Sequence, residues 1–556
     1  MGGRKLALGG VWRWLAAAAS GLLLAFSFPP FDSGQIAWVA LIPLLLAVLH
    51  APDEGRNAVR FSFKIGMTAG LVFWLVAMSW LFRLFETSSA PAFLILIGWL
   101  LLSAYCALYM GVFAMSVAWV ARAIGTKKLW QTMVLTFLIP VLWVGGEMFR
   151  SILFTGFPWN LLAISQYRNV VLIQCAQWVG APGISAVVML ANTGLAFTIW
   201  RYIPPNAQKT YKPHLELFVA LMGVAFCVRT GVIMIRQNAP LSGEVTIAAI
   251  QPAIQQVTKW TDEQVNTIHA TFRDLTHLAL MDASGKPDLI IWPETATPYC
   301  VMDETGSSKD LVEEMSRGGS PLLVGSMDEV NLGAETVCYN GSFLFGTNGV
   351  MSRHYYKQRL VPFGECIPLS GMFPWLAKLA PMGWNCSAGS EATVFTMEGT
   401  PDWAFSCLIC FEDSMADLSR AAVKRGARLL VNQTNDAWFD RSAGPEQHLS
   451  QCVFRCVENR VSAVRVANSG ISCLIEPTGR IVEQTENGPG KLPEPRVLRL
   501  QVTIPGEGFE LTLYTKYGDW LFGIPCGVVA AVCFVLAFVA ARRKKLPNRM
   551  EKTDHE

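Results

Sequence analysis

Eight apolar runs, most of them close to the length of a bilayer crossing, punctuate this chain at about 12–28, 36–50, 65–84, 92–121, 132–149, 182–200, 215–235 and 519–541. A spanning helix needs roughly 20 mostly apolar residues, and in lipid its backbone N–H and C=O groups must be satisfied within the helix itself. The runs therefore predict a transmembrane bundle of about eight helices, as does a composition of 52% hydrophobic and only 16% charged residues. The second run is short and the fourth long, so tilt, a kink or partial interfacial placement is expected there. Arg4, Lys5 and Arg13 ahead of the first run mimic a secretory signal. Phe28-Pro29-Pro30-Phe31 stands where small cleavage-site residues would be, and we read that helix as retained.

Basic residues orient the bundle. Arg4, Lys5 and Arg13; Arg56, Arg60 and Lys64; Arg122, Lys127 and Lys128; Arg201, Lys209 and Lys212; and Arg542 to Lys545 fall at every second boundary. The alternate loops are poorer, with no Lys or Arg in 85–91 and only Arg150 and Arg168 in 150–181. Excess Lys and Arg mark cytoplasmic loops. Both termini are expected in the cytoplasm, and the polar stretch between the seventh and eighth runs outside it. The predicted organisation is a membrane bundle over 1–235, an outward-facing domain over 240–510, a last spanning helix over 519–541 and a cytoplasmic tail over 542–556.

The outward domain alternates strand and helix patterns. Strands are expected at 244–250, 288–292, 321–325, 342–345, 403–410 and 428–431, with helices at 261–282, 308–316, 414–426 and 446–466 and a hairpin over 471–482 around Pro477-Thr478-Gly479. This order predicts an α/β sandwich, with layered sheets covered by helices. A net charge of +3 and the lack of a basic stripe interleaved with aromatics argue against nucleic acid. The fourteen cysteines are not spaced like a disulfide framework, and five of them, Cys106, Cys175, Cys227, Cys526 and Cys533, are read as lying in membrane segments. Cys407-Leu408-Ile409-Cys410 has redox-motif spacing but sits in a buried strand pattern rather than at a helix start. No Cys/His cluster has zinc-finger spacing, and neither a metal nor a cofactor is expected.

Three residues carry the chemistry. Cys410 ends a strand and is followed by Phe411-Glu412-Asp413; Glu294 follows Ile290-Ile291-Trp292-Pro293; Lys357 follows His354-Tyr355-Tyr356. A free thiol with a pKa of about 8.5 needs a base or a cation beside it to act as a nucleophile. A carboxylate at the end of a buried strand has the setting of a general base, and a lysine can hold an oxyanion. Each also has an ordinary reading: a small buried hydrophobe, a turn acid, a solvated cation. His448, in Gly444-Pro445-Glu446-Gln447-His448, leaves a Cys–His arrangement open.

The ordered motifs Trp292-Pro293-Glu294, Lys357-Gln358-Arg359-Leu360-Val361-Pro362-Phe363-Gly364-Glu365 and Cys410-Phe411-Glu412 resemble the carbon–nitrogen hydrolase (nitrilase) superfamily with its Glu-Lys-Cys triad. Gly156-Phe157-Pro158-Trp159-Asn160, Lys259-Trp260, Asn435-Asp436-Ala437-Trp438-Phe439 and Asn468-Ser469-Gly470 narrow the resemblance to the apolipoprotein N-acyltransferase family. It implies a nitrilase-like αββα sandwich, Glu294 as general base, Lys357 as oxyanion stabiliser and Cys410 as the acylated nucleophile. It further implies support from Glu365 and Glu412, and substrate contacts at Trp260, Asn340, Phe411 and Trp159. Phe411 replaces a frequent tyrosine, and Asp440 stands where a glycine is common.

The implied reaction moves a fatty acyl chain from a phospholipid donor to the N-terminal amine of a diacylated apolipoprotein acceptor, at the inner membrane and with membrane lipids around it. A membrane-anchored amidase hydrolysing a small amide would use the same triad. A transporter or receptor would use the spans, but Glu147 is the one conspicuous mid-to-end acid in a span. Residues 366–390, rich in Met, Phe, Trp and Leu, are read either as a membrane-dipping lid or as a core helix.

Overall fold

The computed structural model describes residues 5–51, 55–88, 90–203, 214–236, 241–256, 262–303, 306–332, 335–367, 386–398, 403–439, 441–485, 494–506 and 508–542. Most of the 366–390 loop, Trp260 and Asp440 lie outside the described residues.

Helices α1 (Lys5–Phe26), α2 (Ile42–Leu49), α3 (Gly55–Ala77), α4 (Leu84–Thr87), α5 (Ala92–Ile124), α6 (Leu129–Ile152), α7 (Val170–Ile173), α8 (Ala176–Trp200) and α9 (Leu215–Arg236) precede the sheet domain. Among the described residues six helices are long and apolar enough to cross a membrane, five before that domain and one after it. Gly10–Phe26 and Gly34–Leu49 are shorter apolar stretches. The expected second span is broken: a 3-10 turn over Gly34–Trp38 precedes the eight-residue α2. The expected third span begins ten residues earlier, at Gly55, and its end is a separate 3-10 turn over Ser79–Arg83. Glu147 is occupied structurally, accepting from Trp143 Nε1 at 2.9 Å and from the Leu162 amide at 2.6 Å.

The second domain contains strands β1 (Leu241–Gln251), β2 (Leu289–Ile291), β3 (Leu322–Leu332), β4 (Glu335–Phe345), β5 (Met351–Tyr356), β6 (Phe395–Met397), β7 (Trp403–Ile409), β8 (Leu429–Thr434), β9 (Ser462–Ala467), β10 (Cys473–Ile475), β11 (Ile481–Gln484) and β12 (Arg496–Pro505). Its helices are α10 (Val265–Leu280), α11 (Ser307–Ser316), α12 (Ala416–Lys424) and α13 (Gly444–Asn459); α14 (Leu513–Tyr517) and α15 (Gly523–Arg542) lead back into the bundle. The strands form two six-stranded sheets, ordered β12-β1-β2-β3-β4-β5 and β11-β10-β9-β8-β7-β6. Pairing is parallel at β1–β2–β3 and at β7–β8–β9, and antiparallel elsewhere.

Strand periodicity builds the layers. Along β1, Val245, Ile247 and Ala249 join Phe405, Ile409, Val431 and Val464 in a core between the sheets. Ala248 and Ile250 point to the opposite face and pack with Ile268 and Phe272 of α10 and Leu311 and Val312 of α11. The outer face of the other sheet, with Leu408 and Leu430, packs beneath α12 and α13, in a core continuous with Ile173, Ala176 and Ile184 of the bundle. The result is the expected αββα sandwich, with one helical layer seated directly on the membrane helices.

The expected helix over 446–466 is corrected. α13 ends at Asn459, Arg460 adopts a left-handed φ of 56°, and Ser462–Ala467 is a buried strand. Val453, Val457, Val461 and Val464 keep helical spacing across the boundary, and periodicity alone does not separate a buried helix from a buried strand. β6 and β12 were also not anticipated; β12 pairs with β1 along its whole length.

Two side chains of α13 fasten the domain to the bundle. Gln447 donates to the carbonyls of Pro29 and Ala77 and accepts from Trp80 Nε1, Trp159 Nε1 and Asn160 Nδ2, all within 2.8–3.3 Å. Glu458 accepts from the Ala181 amide at 2.9 Å. That amide is freed where Gly180, at φ 66°, breaks the regular path of α8; a Cβ there would lie 2.3 Å from the Tyr514 ring.

Candidate active site

β2, β5, β7 and β8 end at one edge of the sandwich, the edge at which open α/β sheets place their ligands. Glu294 leaves β2 through Trp292 and Pro293. Its turn lies against Gly325 of β3, where a Cβ would sit 2.3 Å from the Pro293 carbonyl oxygen. One Glu294 oxygen accepts from Asn340 Nδ2 at 2.8 Å and Lys357 Nζ at 3.3 Å; the other accepts from the Asn435 amide at 3.0 Å. Gln433 donates to the Trp292 carbonyl at 2.6 Å and ties this turn to the other sheet.

Lys357 follows β5 and is 1% exposed. Its ammonium lies 2.7 Å from Glu365 Oε1 as well as 3.3 Å from Glu294 Oε1. Burial works against that charge, but Glu365 and Glu294 outweigh it and raise the Lys357 pKa well above the ordinary lysine value. Glu365 is held in turn by Asn340 Nδ2 at 2.9 Å and the Val361 amide at 2.9 Å. Asn340 thus fixes both carboxylates that flank the lysine.

Cys410 begins a 3-10 turn directly after β7, with φ of 55°. A left-handed conformation costs a non-glycine residue roughly 1–2 kcal/mol and is a form of strain concentrated at functional turns. Asn432 stabilises the elbow by donating to the carbonyls of Leu408 and Cys410, at 3.1 and 2.9 Å. Burial and the Glu294 carboxylate push the Cys410 thiol well above its ordinary pKa, with Lys357 opposing them. A thiol raised in this way needs a base to take its proton during attack.

Glu412, fully buried, clamps the elbow to the lysine loop. It accepts from the amides of Ile409, Gln358 and Arg359 at 2.7–2.9 Å and from Tyr355 Oη at 2.9 Å. Burial raises its carboxyl to about 7 against these donors. The Phe411 ring faces Lys357, with Nζ 5.8 Å from its centroid. The structure therefore brings Glu294, Lys357, Glu365, Asn340, Phe411, Glu412 and Cys410 together.

Trp159 is placed differently from the substrate contact expected of it. It is 6% exposed, donates to Gln447 and packs between Trp80 and the His448 ring, in the bundle–domain joint. Cys407 is buried in β7 with Ser342 Oγ 3.4 Å from its sulfur.

A cluster beneath the elbow was not read from sequence as a unit. Arg465, fully buried, lies 2.8 Å from Asp413, 2.7 Å from Asp436 and 2.7 Å from Asn432 Oδ1. His448 stands between the same aspartates, with each ring nitrogen 3.0 Å from a carboxylate oxygen. Despite burial and Arg465, the two aspartates raise His448 to about 9. Burial opposes the Asp436 charge, yet Arg465 and His448 hold its carboxyl down at about 2. The Asn435-Asp436 pair was visible as a motif, but its partners lie on other strands and helices.

Residues 20–194 match the family model of the apolipoprotein N-acyltransferase N-terminal domain, and residues 246–492 that of the carbon-nitrogen hydrolase. The chain is 36% identical to the apolipoprotein N-acyltransferase of Geobacter metallireducens over 542 residues, covering 96% of each chain. It is 30% identical to that of Gloeobacter violaceus over 545 residues, 96% of this chain and 95% of the relative. Identity to the Brucella melitensis protein of the same name is 28% over 493 residues, 86% of this chain and 89% of the other. The chain belongs to the apolipoprotein N-acyltransferase family.

Proposed function

We propose that this protein transfers a fatty acyl chain from a phospholipid to the α-amino group of a lipoprotein's diacylglyceryl-cysteine, through a thioester on Cys410. The observation that carries the reading is the arrangement at the sandwich edge: a buried cysteine thiol on a strained elbow, beside one buried lysine held between Glu294 and Glu365.

In the first half-reaction Cys410 Sγ attacks the ester carbonyl carbon of the phospholipid while Glu294 takes the thiol proton. Lys357, pinned by Glu365, offers its ammonium to the negative charge that develops on the carbonyl oxygen. Collapse of the tetrahedral species breaks the C–O bond, Glu294 returns the proton to the departing alkoxide, and a lysophospholipid leaves. In the second half-reaction the lipoprotein amine attacks the thioester. An α-amino pKa of about 7.7–8.0 leaves a substantial neutral fraction near neutrality. Glu294 accepts the amine proton and passes it to the departing Cys410 sulfur, which restores the thiol. Asn340, through its bonds to Glu294 and Glu365, and Glu412, through its bonds to the elbow and the lysine loop, position these groups.

Both substrates keep their acyl chains in the bilayer, since each buried methylene contributes about 0.8 kcal/mol. A reaction centre on a domain joined to membrane helices at both ends suits them. The basic loops support a cytoplasmic-membrane protein with this domain on the periplasmic side.

Incubation of the purified protein with a phospholipid of defined chain length tests the reading by intact mass. We expect an acyl adduct that is absent from Cys410→Ala and retained by Cys407→Ala, and that is discharged onto a diacylated peptide amine. Adduct formation without transfer to the amine, or hydrolysis of small amides alone, would favour a membrane-anchored amidase.

A further inference from the structure

Two cysteines 48 residues apart meet beside the buried lysine. Cys338 Sγ and Cys386 Sγ are 3.6 Å apart, and their residues form an isolated parallel β-bridge. The backbone around them is sewn into the site. The Ser387 amide donates to the Cys338 carbonyl at 2.8 Å, the Cys386 amide to the Glu365 carbonyl at 2.9 Å, and the Gly389 amide to the Lys357 carbonyl at 2.8 Å. Cys338 lies two residues before Asn340 on β4. The interval between the two cysteines contains both Lys357 and Glu365.

We propose that Cys338 and Cys386 form a disulfide that staples the segment carrying Lys357 and Glu365 to β4. The proposal takes from the preceding section only the outward placement of this domain, where disulfide donors are encountered. The residue pairing already exists, and the sulfurs need to move together by about 1.5 Å to reach a bond of about 2.05 Å. Cys338 is half-buried and Cys386 buried, so Cys338 is the sulfur a donor meets first.

The exchange balances without a metal or cofactor. Cys338 loses its proton to solvent and attacks an incoming disulfide, carried by an exported thiol oxidant or by oxidised glutathione, and the first donor sulfur departs as a thiolate. Cys386, deprotonated in turn, attacks the Cys338 sulfur of the mixed disulfide and expels the second donor sulfur. Two protein thiols are oxidised and one donor disulfide is reduced to two thiols. The bond closes a long loop, so it restricts the unfolded chain while holding the lysine loop against the strand that bears Asn340.

The test has two arms. Full-length protein in detergent is exposed to oxidised glutathione, its free thiols are alkylated, and digestion without reductant is followed by mass spectrometry. We expect a cross-linked peptide pair joining Cys338 to Cys386, two hydrogen masses lighter than the reduced pair, and retained in Cys366→Ser. Reductant should then lower Tm by several degrees in the wild type but not in Cys338→Ser/Cys386→Ser. Free thiols at both positions, or pairing of either with Cys300 or Cys366, overturns the proposal. In the second arm intact cells are alkylated before lysis. A bond that forms in the purified protein while both thiols stay free in cells would leave the pairing standing and count against the outward placement.

Discussion

Cys410, Lys357 and Glu294 occupy unlike environments although all three end strands, and substitutions should separate their roles. Cys410→Ser keeps the elbow but replaces the sulfur with a far less acidic hydroxyl, so turnover is expected to fall by at least about 10³-fold with the fold intact, checked by acyl-transfer rate and Tm together. Lys357→Met should cost both activity and stability. It leaves Glu294 and Glu365 facing each other without their shared cation, and removing one partner of a buried ion pair typically costs about 3–5 kcal/mol. A loss of activity with Tm unchanged would contradict the shared-cation geometry. The proposed triad was legible because each member carries a recognisable local motif. Asn340 was named only through the resemblance; its two bonds to carboxylates 46 and 25 residues away have no local signature.

At the scale of elements, the ion cluster beneath the elbow links β8, β9, α13 and the turn after β7. His448, raised to about 9 from an ordinary value near 6.5, contributes stability that is complete below about 6.5 and lost as pH rises through 9. Asp436, held at about 2, contributes stability that is complete above about 4 and lost as pH falls toward 2. Thermal unfolding should therefore be most resistant between about pH 4 and 6.5 as far as this cluster is concerned. Tm should decline from pH 6.5 to 9, and His448→Gln should flatten that decline; equal slopes would remove His448 as its cause. The β9 strand within the cluster was hidden in sequence. Helix α13 is buried on nearly every side, and the helical spacing of Val453, Val457, Val461 and Val464 runs past its end into Ser462–Ala467.

Across the whole molecule, the domain and the bundle are joined by polar side chains as well as by a shared core. Gln447→Leu would leave the indoles of Trp80 and Trp159 and the carbonyls of Pro29 and Ala77 without their partner. Each such buried group costs about 1–3 kcal/mol. We expect limited proteolysis to release the sheet domain from the variant under conditions where the wild type stays intact; equal resistance would show that the apolar contacts suffice. Orientation is tested by labelling intact cells with a membrane-impermeant thiol reagent after placing a cysteine at exposed Met281 of α10's C-terminal end. Labelling places the domain outside, and protection until lysis places it inside.

The sequence by itself determined the apolar runs, their basic flanks, the strand–helix alternation and the order of the glutamate, lysine and cysteine motifs. These depend on hydropathy, charge and short-range backbone preference, which neighbouring residues carry. Only the tertiary structure decided that one asparagine bridges two carboxylates, that Trp159 serves the bundle–domain joint, that β12 closes the first sheet, and that Cys338 meets Cys386. Each of these joins positions far apart in the chain, where partners are selected by burial and hydrogen-bond satisfaction in the folded molecule and leave no periodic trace along the sequence.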